Sequence, residues 1–363
     1  MHKSQHPSLP NHLQSYKYPY NMNLNKLFYF MVFIMTLIPL LSIFFTNFIH
    51  LWIMMEMNTI IMISAMAIFM KSFKSTLNFF IIQSFSSLML IYLMMMTNGN
   101  SNNLPYSTIN MILMIAFSLK LGLFPFHFWP PLINQNINWI LILIMSTSQK
   151  FIPMVIFHSF IDQKNNTTML YIMLTISLMS SLMSTLMNIF ETNLMKIMTF
   201  SSMNHLSWMM MIIIFDYSMF MIYFATYTMA MIPLSLAFNK FNMISIFSLS
   251  KTQLLNFKAI NFLMSVNLLI VSTIPPFITF LMKINLLKIL IDNYSTLSSF
   301  LLSMASIFTL IFYMNIIIKI NTFNLMKIKF YKPSLSNLKF NFSSMILISI
   351  MVLFFVFFSF YFM

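Results

Sequence analysis

Four ionisable side chains interrupt long uncharged apolar runs: Glu56, Lys120, Lys150 and Lys283. An ionised residue at the centre of a membrane helix costs roughly 2.5–3.5 kcal/mol on insertion scales, so groups of this kind mark a proton or ion path by default. Burial disfavours an ammonium, whereas a neighbouring carboxylate favours it. A lysine with a movable acidic partner can therefore take up and release a proton. His205, in the middle of another run beside Ser201 and Ser202, titrates in the range useful for proton transfer. Each group also has a plainer reading: snorkelling for the lysines, a hydrogen-bonded structural carboxylate for Glu56, and a satisfied core imidazole for His205.

The elements that would position these groups follow from composition. The chain is 60% hydrophobic and 7% charged, with a mean hydropathy of +0.85. Its repeated apolar runs exceed what a soluble core can hide. They lack the alternation of barrel strands, and hydrocarbon offers no partners for an open backbone, so the class is an all-α polytopic membrane protein. Spans are expected at about 24–43, 46–70, 76–97, 107–131, 136–160, 167–190, 194–215, 217–238, 260–290, 294–318 and 343–362. Those eleven helices give four regions: a polar, disordered tail at 1–23, a ten-helix core at 24–318, a basic surface segment at 319–342 and a C-terminal helix at 343–363. Met22 is an equally good start for the chain, and the histidines His2, His6 and His12 in the tail lack a scaffold to hold a metal.

Alternating the loops puts fourteen of the 19 lysines on one side and only Lys164 and Lys288 on the other, the remaining three being the intramembrane ones. By the positive-inside rule the amino terminus faces the matrix and the carboxyl terminus the intermembrane space. The lysines are dispersed among short loops, which argues against nucleic-acid binding and for topology. The segment 319–342 would lie on anionic lipid head groups, and Trp52, Trp129 and Trp139 near span ends would be interfacial anchors. With no cysteine, the chain holds no disulfide and no thiolate-bound iron–sulfur cluster. Two glycines cannot build a nicotinamide-binding turn. The 42 methionines point to a genetic code with an extra Met codon, and so to a mitochondrial gene.

The fourth and ninth spans carry Pro125 and the pair Pro275-Pro276. Proline removes a helix donor and displaces the carbonyl four residues earlier, so both spans are expected to kink or unwind. Broken helices at matching places in spans 1–5 and 6–10 are the sequence pointer to a transport site built from inverted repeats. Packing kinks are the alternative.

The residues around these features resemble a known family. Lys-Leu-Gly-Leu-Phe-Pro-Phe-His-Phe-Trp-Pro at 120–130, Glu56-Met57-Asn58 after Trp52, Gln83-Ser84, Gln149-Lys150 with Pro153, and Lys196-Ile-Met with Ser201-Ser202, His205 and Trp208 are similar in order and spacing to the chain 2 family of NADH:ubiquinone oxidoreductase, respiratory complex I, a relative of Mrp-type antiporter subunits. The resemblance covers about 24–320. It departs at Val271-Ser-Thr-Ile-Pro275-Pro276-Phe, where the family usually carries glycine, and at Ser148, where it carries tryptophan. It implies a relay in which Glu56 pairs with Lys120, Lys150 bridges and Lys283 stands near the far-side exit. It also implies a subunit of the mitochondrial inner membrane whose partners are the other membrane-arm and core subunits of the complex and the lipid bilayer. No cofactor is expected in this chain; NADH, FMN, iron–sulfur clusters and ubiquinone would be bound by partner subunits. A stand-alone cation/proton antiporter and a structural membrane scaffold are the other readings.

Overall fold

The structure is a computed structural model and describes residues 22–69, 73–98, 106–163, 167–249, 258–275, 277–293 and 296–322. The proposed tail, the basic segment after 322 and the eleventh span lie outside these residues. Runs of about 20 apolar residues are long enough to cross hydrocarbon as helices, and the described residues are helical with no strands. In order, α1 is Met22–Ser42, α2 Phe48–Phe69, α3 Phe73–Asn98, α4 Tyr106–Leu121, α5 Trp129–Asn134, α6 Trp139–Ser146 and α7 Ser148–Gln163. There follow α8 Thr167–Phe190, α9 Leu194–Phe215, α10 Tyr217–Lys240, α11 Lys258–Val271, α12 Ile278–Asn293 and α13 Thr296–Thr322. Seven helices are long and apolar enough to cross a membrane, with Trp139–Ile161 counted as one, and Lys26–Ser42, Thr108–Leu121 and Ile260–Val271 are shorter apolar helices.

The bundle turns α9 inward and several other helices outward. Almost every residue of α9 from Leu194 to Ile213 is buried, and α9 packs most extensively against α8. By contrast α2 exposes Ile53, Met57 and Ile60, and α13 exposes Ile307 and Ile311. Those apolar faces suit contact with lipid. The serine- and threonine-rich helices keep their hydroxyls from becoming unpaired by returning them to their own turns. Ser177, Ser180 and Ser184 of α8 and Thr199, Ser201 and Ser202 of α9 each donate to the carbonyl three residues earlier.

Contacts between helix ends agree with alternating crossings. Phe28 meets Phe69 at 4.7 Å, Phe48 meets Phe160 at 4.6 Å and His158 stacks on Tyr217 at 4.3 Å. The turn before α9 pairs with the turn after α10 through Leu194 N–H to the Ile244 carbonyl at 2.8 Å and Ile246 N–H to the Thr192 carbonyl at 3.1 Å. Trp139 is not an interfacial anchor: it is buried, and its indole donates to the Met243 carbonyl at 2.8 Å. Trp52 and Trp129 also direct their indoles to carbonyls, those of Ser87 and Leu119. An indole at a span end can satisfy its N–H in water or on protein, and here protein wins.

The fourth span does not carry Pro125 inside a helix. Helix α4 stops at Leu121, and residues 122–128 are non-helical before α5 begins. Gly122 adopts φ +71° and Leu123 N–H reaches back to the Ser118 carbonyl at 2.9 Å, a left-handed helix stop that glycine accepts without a Cβ penalty. A Cβ on Gly122 would stand 2.4 Å from Cγ of Pro130. Gly122→Ala is therefore expected to destabilise the fold by roughly 1–3 kcal/mol through strain and overpacking. Thermal unfolding of the protein in membranes checks this, and a variant as stable as the parent would refute it.

Candidate functional site

Each intramembrane lysine sits at a break in a helix. Lys120 is the penultimate residue of α4, Lys150 is the third residue of α7 just beyond the interruption at Thr147, and Lys283 lies in α12 past the non-helical turn after Val271. Lys120 and Lys150 are thus not deep inside continuous helices, contrary to expectation from the apolar runs. The break at Thr147 has no glycine or proline at it, Pro153 lying six residues on inside α7. Ser146 and Thr147 donate their hydroxyls to the Leu143 carbonyl at 2.9 and 2.7 Å, and Ser148 donates to the Ile144 carbonyl at 3.2 Å. These local bonds compete with the backbone ladder and let the helix change direction.

Three of the last four carbonyls of α4 are answered. Ser118 takes Leu123 N–H, Leu119 takes the Trp129 indole at 3.0 Å, and Lys120 takes the Gln83 amide at 3.2 Å. A helix end buried away from water requires such partners. At the third break Thr273 adopts φ +57°, an outlier for a β-branched residue. Its hydroxyl accepts from Lys283 Nζ at 2.9 Å, while Thr279 donates to the Ile270 carbonyl at 3.3 Å. Here a threonine accepts the strain and supplies an oxygen.

The expected Glu56–Lys120 pair is present. Lys120 Nζ lies 3.0 Å from Glu56 Oε1, with the lysine side chain 2% and the carboxylate 21% exposed. Lys150 donates to Ser202 twice, to its carbonyl at 3.1 Å and to its hydroxyl at 3.0 Å. Lys283, besides Thr273, lies 4.6 Å from the ring centroid of Trp208, a distance at which the ring face stabilises a cation. His205 is buried, with Nδ1 2.9 Å from the Tyr223 hydroxyl, and it feels the charges of both Lys283 and Lys150. The imidazole is thus within electrostatic range of both the second and the third lysine.

A cavity of about 20 Å³ joins the first lysine to the second, its lining including Gln83, Lys120, Asn134, Gln149, Lys150 and Ser202. One water requires roughly 10–15 Å³ of such space and two or more polar partners. Asn134 Oδ1 is buried without a protein partner, so this site is suited to water. Beyond Lys150 the hydroxyl of Tyr227 lies beside Ser146 and Ser202, and that of Tyr313 beside Ser201, yet neither makes a hydrogen bond of ordinary length. Asn204 Oδ1 and Trp208 Nε1 are likewise buried and unpaired by protein. Buried polar atoms of this kind are ordinarily satisfied by water, so these positions around α9 are suited to it.

Sequence reasoning placed Glu56, Lys120, Lys150, Lys283 and His205 but passed over Asn134, Tyr223, Tyr227, Tyr313 and Thr273. A lone polar residue in a span carries no sign of which neighbour it will meet. His127 is buried within the 122–128 break rather than at an interface, with Nδ1 3.1 Å from the Pro125 carbonyl. Among the described residues no cluster of His, Asp or Glu could hold a metal.

The sequence profile of the NADH:quinone oxidoreductase/Mrp antiporter transmembrane family matches residues 65–309. NADH-ubiquinone oxidoreductase chain 2 of Anopheles gambiae is 30% identical over 314 residues, 84% of this chain and 87% of that relative. The chain belongs to this family. The chain 2 relative of Lumbricus terrestris is 30% identical over 289 residues, covering 77% of this chain and 82% of its own length. Among solved structures, a chain of respiratory complex I from Thermus thermophilus with bound aureothin superposes with a TM-score of 0.74 at 14% identity, covering 91% of this chain and 76% of that one. A chain of the Mrp complex from Dietzia sp. gives 0.66 at 12%, covering 80% and 60%. The antiporter-like helical fold is thus shared across both groups.

Thr273→Val removes the oxygen that holds Lys283. A hydrogen bond to a charged group contributes about 1.5–3 kcal/mol, so the thermal inactivation midpoint should fall, whereas Thr273→Ser should preserve it. Equal midpoints for Val and Ser would show that the hydroxyl is dispensable.

Proposed function

We propose that this chain translocates protons across the mitochondrial inner membrane as a core membrane subunit of NADH:ubiquinone oxidoreductase. Electron transfer from NADH to ubiquinone would take place in partner subunits, which would hold FMN, the iron–sulfur clusters and the quinone site. The reading rests above all on one observation: a Glu56–Lys120 ion pair whose buried lysine stands at a helix break and lines one cavity with a second lysine.

In the mechanism, Glu56 in its ionised form holds Lys120 as an ammonium. Protonating or displacing Glu56 removes the charge that compensates burial, and Lys120 then releases its proton to water in the adjoining cavity. Lys150 receives it, held by two oxygens of Ser202. His205, within electrostatic range of Lys150 and Lys283, would pass the proton on. Thr273 and the Trp208 ring keep Lys283 poised as a cation at the last station. Moving each proton against the membrane potential costs about 2.3 kcal/mol per 100 mV, which a conformational or electrostatic signal from the partner subunits must supply. The likeness to an Mrp chain favours a second reading, a stand-alone cation/proton antiporter. Gradient-driven exchange by the isolated chain in liposomes would favour that reading, whereas silence alone with pumping in the NADH-oxidising assembly would favour the first.

Lys120→Met and Lys150→Met should leave the complex assembled and oxidising NADH while lowering the protons moved per NADH in sealed vesicles. An unchanged ratio in both would contradict the relay. The lysine distribution supports an amino terminus in the matrix; a tag there should be digested by protease only once the matrix side is opened, and digestion in intact mitoplasts would reverse the assignment.

A further inference from the structure

The Glu56–Lys120 pair and Lys150 are joined by a second set of bonds that the relay does not use. Asn58 of α2 is buried, and its Nδ2 donates to the Ser148 carbonyl at 3.2 Å. Gln149 returns the bond, its Nε2 donating to the Asn58 carbonyl at 3.0 Å. Each side chain therefore grips the other segment's backbone. Ser148 and Gln149 directly precede Lys150, and they begin α7 at the break after Thr147. Asn58 lies two residues beyond Glu56 on the same helix.

Residues two apart on an α-helix project roughly 200° from each other. Helix α2 thus meets Lys120 with one side chain and the start of α7 with another. Because the clamp bonds end on main-chain atoms, they act on the path of the chain and not only on a rotamer. A shift or rotation of α2 displaces Ser148, and with it the base of Lys150, whose ammonium is fixed at its other end to Ser202 of α9. The segment is built to yield. The helix is interrupted at Thr147, with φ −118° and ψ −84°, and the Oδ1 of Asn58 is buried with no protein partner. That leaves the amide an unused acceptor, so the clamp can exchange bonds without losing all of them.

We infer that Asn58 and Gln149 are positioning residues whose reciprocal clamp makes α2 a mechanical link, so that a change of state at Glu56–Lys120 moves Lys150 relative to Ser202. This rests on the proton relay proposed above. It gives the two lysine stations a physical connection besides water in the cavity.

The test is the number of protons pumped per NADH oxidised by the whole complex in sealed vesicles, normalised to assembled complex, for Asn58→Leu, Gln149→Leu, the double variant and Lys120→Met. Leucine preserves side-chain bulk and removes the donor, so a purely packing role leaves the ratio unchanged. The clamp predicts that both single variants drop to the value of Lys120→Met while NADH oxidation continues, and that the double variant drops no further. If Asn58→Leu does not assemble, Gln149→Leu gives the same reading from the other end. A full ratio in the assembled clamp variants, with a reduced one in Lys120→Met, overturns the clamp and leaves the relay standing. A full ratio in Lys120→Met overturns the relay, and the clamp with it.

Discussion

An ammonium in hydrocarbon persists only where oxygen or an aromatic face meets it, and the 3.0 Å contact between Lys120 and Glu56 sets the terms for the rest of this chain. A straight α-helix cannot meet that demand alone, because its carbonyls are engaged along its own axis. Interrupting the helix frees backbone groups and turns the lysine toward its neighbours. The same solution occurs at each of the three lysines: a break, a lysine within a few residues of it, and oxygen or an aromatic ring brought from elsewhere.

Each break creates a second demand, since a freed carbonyl or amide in a membrane must also be answered. Gln83 and Trp129 answer the end of α4, Thr279 answers the end of α11, and Asn58 with Gln149 ties the start of α7 to α2. These bonds tie α3 and α5 to α4, α12 to α11 and α2 to α7. The polar interior is the consequence: serine, threonine, tyrosine and asparagine line α8, α9 and α10, while the outward faces remain apolar. In the proposed relay, structure and conduction would draw on one set of groups, which leaves little freedom to move a lysine without disturbing the fold.

Much of this was legible in the chain. Apolar runs located the seven membrane-length helices and the shorter apolar ones among the described residues, because length and hydropathy in a membrane leave no competing structure. Glu56, Lys120, Lys150 and Lys283 stood out because an uncompensated charge in such a run is costly. Pro125 and Pro275 announced two breaks, although Pro125 lies beyond the helix that Gly122 ends. The break at Thr147 was not legible, since serine and threonine hydroxyls bend a helix only when they win against its ladder, and that contest is settled by packing. Thr273 was unexpected for the opposite reason: a β-branched residue at φ +57° is disfavoured locally and is sustained by its bond to Lys283. Trp139 was misplaced at an interface because its partner, the Met243 carbonyl, is 104 residues away, beyond the reach of any local pattern.

The central claim is that protonatable groups within the membrane are linked to one another by water held at helix breaks. A density map of the assembled complex that resolves ordered water tests it most directly. The account predicts water in the cavity between Lys120 and Lys150, within hydrogen-bonding distance of Asn134 Oδ1, while Glu56 remains against Lys120. A cavity closed and dry in every state of the working enzyme, or Glu56 turned away to bulk solvent, would contradict it.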